Sequence, residues 1–60
     1  GDYGTLDTEI SLLNGEGIGF YRVTFLEDQK VAVQLQSIGR TSDRDSVREA
    51  FDTLVASFNP

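Results

Sequence analysis

Sixty residues with a formal charge of −5, from ten acidic and five basic side chains, make one small domain, and a chain this short buries only about 60% of its unfolded surface. The acidic balance opposes nucleic acid and anionic lipid, and the absence of cysteine and histidine excludes a disulfide or a Cys/His metal site. No apolar run approaches the roughly 18 residues of a membrane-spanning helix, and no charged-then-apolar leader is present.

With so thin a core and no covalent or metal staple, a partner, self-association or a longer parent chain is the expected source of further stability. A sequence without methionine that begins at Gly1 is expected to be cut from a precursor or a larger protein.

Gly1–Gly4, with two glycines and no apolar period, is expected to be a flexible lead-in, and residues 5–60 to form a single α+β domain or a fragment of a larger one. From Thr5 the pattern alternates. Leu6, Thr8, Ile10 and Leu12 lie on one side and Asp7, Glu9 and Ser11 on the other, as in a half-buried strand. Asp7 and Glu9 share a face and could form a cation or acid/base pair, but no third ligand is placed, so a solvated face is the favoured reading.

Asn14-Gly15 is a strong hairpin signal, because a type I′ turn needs positive φ at both central residues. The turn sets Ile10 against Gly19, Thr8 against Tyr21 and Leu6 against Val23. A phosphate-loop reading of Asn14–Gly19 fails because a strand follows where a helix should, and no Gly-Lys-Ser/Thr is present. Gly17 and Gly19 instead leave a bare strip on the expected core face, where Phe51 or Phe58 of a helix can settle.

Phe20–Leu26 and Lys30–Ile38 read as the second and third strands. A two-residue turn at Asp28-Gln29 would put Val23 opposite Gln34. An odd loop keeps Tyr21, Val23 and Phe25 together with Leu35, Val33 and Val31, and is therefore the expected register.

Ser42–Phe58 reads as an amphipathic helix, with Val47, Ala50, Phe51, Leu54, Val55 and Phe58 as its apolar stripe. Ser42 is the expected cap, Ser46 the alternative one turn on, and Asn59-Pro60 the stop. The sum is a three-stranded antiparallel meander with one C-terminal helix on one face (βββα), possibly part of a larger sheet.

On this register the second sheet face carries Leu13, Ile18, Phe20 and Leu26, which are the expected partner-binding residues. Phe20→Ser should then abolish association and leave the fold intact.

Tyr21-Arg22-Val23-Thr24-Phe25, an acidic loop, a Val-rich strand, Ser42-Asp43 and the run Phe51–Phe58 together resemble the ending of PsbP/DcrB/Mog1-type domains. Those domains are longer and close with a strand pair and a helix that finishes in a Ser-Phe step. The resemblance implies an accessory protein without catalytic residues, exported to the periplasm or secreted, and acting by protein contact.

The residues point the same way, to a non-enzymatic protein-binding or assembly module that needs no cofactor. The alternative is an acidic inhibitor or polyanion mimic that presents Asp7, Glu9, Asp43, Asp45, Glu49 and Asp52 to a basic site on a target. No nucleophile is paired with a base, so an enzyme is not expected.

Overall fold

A computed structural model describes residues 3–58, so the lead-in at Gly1 and Asp2 and the helix stop at Asn59-Pro60 lie outside the described residues. Three ten-residue strands, β1 (Tyr3–Leu12), β2 (Gly17–Leu26) and β3 (Val31–Arg40), form one antiparallel sheet in the order β1-β2-β3. Helix α1 (Arg44–Ser57) follows and lies over β2 and β3. This is the expected βββα meander, although β1 begins within the expected lead-in, with Tyr3 paired to Leu26 and Gly4 to Phe25.

The first hairpin follows the expected register, with Ile10 opposite Gly19, Thr8 opposite Tyr21 and Leu6 opposite Val23. Asn14 and Gly15 take φ of 55° and 92°, and the Glu16 N–H donates to the Leu13 carbonyl at 3.1 Å. Leu13 is itself left-handed at φ 51°, a conformation that costs a side-chain-bearing residue roughly 1–2 kcal/mol.

The second hairpin departs from expectation. Leu26 pairs with Val31, Phe25 with Ala32 and Val23 with Gln34, which is the even register. Lys30 takes the left-handed position at φ 58°, and its N–H donates to the Glu27 carbonyl at 3.2 Å. Val31, Val33 and Leu35 therefore share a face with Ile18, Phe20, Thr24 and Leu26.

The helix explains why this register wins. Ser37 and Gly39 come onto the same face as Phe20, and α1 needs both. The Ser37 hydroxyl donates to the Val47 carbonyl at 2.9 Å. At Gly39 an added Cβ would stand 2.5 Å from Val47 Cγ2, so only a bare backbone lets the helix approach here. Gly39→Ala should therefore push α1 off the sheet at a cost of about 1–3 kcal/mol. A lowered urea midpoint with an unchanged slope would show it, and parental stability would contradict it.

Helix α1 thus covers the face expected to be open. Ile18 and Phe20, 5% and 2% exposed, form the core with Val47 and Phe51, and Val55 packs against them. The expected contact surface of Leu13, Ile18, Phe20 and Leu26 is consequently not a surface. Ile18 and Phe20 are buried, Leu26 is half-buried on the same side, and Leu13 stands out from the turn at 77% exposure. Both faces of β2 are apolar, so its period of two could not choose between them.

The helix also starts two residues later than expected. Thr41 is held at the first turn, its N–H donating to the Glu16 carbonyl at 2.9 Å and its Oγ1 to the Gly15 carbonyl at 2.6 Å. Thr41–Asp43 then forms a 3-10 turn, and Asp43, not Ser42 or Ser46, occupies the N-cap without a side-chain cap bond.

Candidate functional site

Among the described residues, nothing covers the sheet face away from α1. It is built from Leu6, Ile10 and Leu12 of β1, Tyr21, Val23 and Phe25 of β2, and Ala32 and Ile38 of β3. Leu6 and Ile38 are the most open at 67% and 53%, while Ile10, Val23 and Phe25 are each about two-fifths exposed (41%, 37% and 41%). Three strands of this length span roughly 30 by 14 Å.

Gly17 and Gly19 do lie on this face, but the ring that settles there comes from the sheet itself. A Cβ on Gly19 would fall 2.6 Å from Tyr21 Cε2 and its hydroxyl, so the half-buried Tyr21 side chain lies back along its own strand. The polar members are neutral. Thr8, Gln34 and Gln36 interrupt the apolar surface, and Gln34 Nε2 donates to Gln36 Oε1 at 2.9 Å. Arg40, at the end of β3, is the one charged strand residue in phase with this face.

The charges gather on the helix side. Arg22 grips Asp7 through a two-pronged bond, Nε to Oδ1 at 2.7 Å and Nη2 to Oδ2 at 2.8 Å. Arg44 Nη2 donates to Glu9 Oε1 at 2.6 Å, and Arg48 Nε to Asp52 Oδ1 at 3.1 Å. The Arg44 and Arg48 guanidinium groups also lie 5.4 and 5.3 Å from the centre of the Phe20 ring, a distance at which a cation is drawn to an aromatic face. Asp7 and Glu9 do share a face, but each is engaged by an arginine. Among the described residues no three acidic groups are gathered closely enough to hold a metal ion.

The hydrogen bonds from Arg22 hold the Asp7 carboxyl below its ordinary value of 3.8. A lowered folded value means the pair stabilises the fold above the unfolded value and loses that contribution as pH falls through the folded one. For an exposed pair the contribution is about 0.2–1 kcal/mol. Asp7→Asn should therefore lower stability slightly at pH 6, with the gap to the parent narrowing as pH falls below 3.8, as read from urea midpoints across that range. A gap that widens on acidification would contradict the pairing.

Of the open-face residues, Leu6, Ile10, Val23 and Phe25 are those that the expected register placed in the core, whereas Ile38 lies on an uncovered face as expected. The strand charges did not reveal these four, because charge ordinarily marks a solvated face. The strand charges Asp7, Glu9 and Arg22 all fall on the opposite face, where two carboxylates and an arginine can pair across β1 and β2.

Fold and surface together define a small two-layer α+β domain with one sheet face left open. Comparison with protein-family models, with curated proteins and with solved structures returned no match. Among the described residues no helix is long and apolar enough to cross a membrane.

Proposed function

We propose that this chain is a non-enzymatic protein-binding or assembly module that docks a partner protein on the sheet face opposite α1. The observation that carries this reading is the open face itself, in which five large apolar side chains are exposed side by side with neutral polar neighbours. Each contributes on the order of 1.5–3 kcal/mol when fully buried, against the cost of immobilising two bodies. A contact surface of this kind is also what the resemblance of Tyr21–Phe58 to PsbP/DcrB/Mog1-type endings implies.

The acidic-mimic alternative draws less support. Four of its six carboxylates, Asp7, Glu9, Asp43 and Asp52, are held in ion pairs with arginines of the same chain, which lowers the charge they present outward.

The test is a double substitution on the open face, Leu6→Ser with Phe25→Ser, chosen because both side chains are exposed there and neither belongs to the core under α1. Binding of an apolar fluorescent dye by the parent should fall sharply in the variant, with the far-ultraviolet circular dichroism unchanged. Dye binding should vary little between about 0.1 and 1 M salt. A parent that binds no apolar probe, or binds it equally after both substitutions, would overturn this reading.

A further inference from the structure

The two outer strands of the sheet are unlike. β1 carries Asp7 and Glu9, the kind of charge with which natural sheets blunt an exposed edge, whereas β3 has neither charge nor proline from Val31 to Gly39, and such an edge invites another strand.

The helix repeats the asymmetry. At 100° per residue, Arg44 and Arg48 fall on the flank toward β1, as their contacts with Phe20 and Glu9 confirm. Ser46, Ala50, Leu54 and Ser57 fall on the other flank, beside β3. That flank is also uncharged, and both Ala50 and Leu54 are exposed, Leu54 at 38%. In a chain with 15 charged residues (5 + 10), a strip free of charge through both layers is specific to this one side.

We infer that this strip is a dimer interface: β3 pairs antiparallel with β3 of a second copy, about a two-fold axis beside Leu35. The surface is distinct from the open face and does not depend on it. Three features select a second copy as the occupant.

First, the strand is complementary to itself. With Leu35 on the axis, Gln34 meets Gln36 of the second copy, Val33 meets Ser37, and Val31 meets Gly39. The neutral amides thus face one another on the open face, beside Ala32 and Ile38, and Val31, Val33 and Leu35 stay on the helix side.

Second, the helices fit. An axis above the β2–β3 line lies roughly 5 Å from the two-fold, which places the two helices roughly 10 Å apart, a normal packing distance. Ala50 and Leu54 fill the seam. Third, two chains of charge −5 can approach along Val31–Gly39 without opposing any charged strand residue, whereas the β1 edge carries Asp7 and Glu9. A strip about 30 Å long and two layers deep buries on the order of 1,000 Å² in total, the threshold for a specific interface.

The experiment is sedimentation equilibrium on the intact chain and three variants. The parent should show a concentration-dependent dimer. Leu54→Glu and, separately, Ala50→Glu, both at exposed helix positions, should weaken it by about 100-fold, the first by setting two carboxylates near one another across the axis and the second by placing a carboxylate in the apolar seam. Leu6→Ser, on the open face of β1, should leave the dimer unchanged. Amide exchange in β3 should slow as concentration rises. A parent that stays monomeric at about 1 mM, or a dimer indifferent to both glutamate variants, would overturn the inference. A dimer lost with Leu6→Ser but kept with Leu54→Glu would also overturn it and would place the contact on the open face, in support of the proposed function.

Discussion

Phe51→Ala is expected to cost roughly 3–5 kcal/mol, which in a domain of this size is most or all of the net stability. The ring is 5% exposed, in mid-helix, with its centre 6.0 Å from that of Phe20 and the planes tilted by 33°. Its removal takes away the largest side chain that α1 contributes to a core of four buried residues. Circular dichroism at 25 °C should show a largely unfolded chain. A variant melting within a few degrees of the parent would contradict the burial.

Phe20→Ser should be at least as damaging, the reverse of what the expected register implied for it. Phe20 is the most deeply buried large side chain. It touches Phe51 on the helix side and sits under the guanidinium groups of Arg44 and Arg48. Serine would leave a void costing about 3–5 kcal/mol and would add a buried hydroxyl, with a further penalty of about 1–3 kcal/mol if it finds no partner. The far-ultraviolet signal should collapse. A folded Phe20→Ser variant that had lost only its association would restore the sequence-based reading of this residue as a contact.

That reversal marks where the sequence is informative and where it is not. The meander, the first hairpin and the helix are all legible, because Asn14-Gly15 pins one register and Val47, Phe51 and Val55 repeat every turn. The choice of face was not. Phe20 and Tyr21, and likewise Val23 and Thr24, are adjacent residues that would each suit a core, so alternation in β2 cannot say which side is buried. The deciding residues, Ser37 and Gly39, are small and look like a strand ending. Their meaning emerges only once the Val47 carbonyl and Cγ2 are seen against them. Lys30 hid the second register in the same way, since a lysine at positive φ leaves no mark in the sequence. The open face was therefore misplaced along with the core, although the existence of an exposed, partly apolar sheet face was readable from composition.

The helix covers β2 and β3 and reaches β1 by the long side chain of Arg44 at Glu9, so the layers of this domain do not share one fate when it fluctuates. β1 is held by its hydrogen bonds to β2, by the Asp7–Arg22 pair and by the turn clasp at Thr41, with Leu6 and Ile10 exposed and Leu12 half-buried. Its peeling away removes no member of the core of Ile18, Phe20, Val47 and Phe51, although it releases Glu9, which stands opposite Phe20 and anchors Arg44 over its ring. The chain then behaves as a persistent β2-β3-α1 kernel carrying a detachable strand, and amides of β1 should exchange with solvent through local opening well before the kernel unfolds. Such an opening would bare the second edge of β2 and give the module a transient vacancy in its own sheet that an incoming strand could fill.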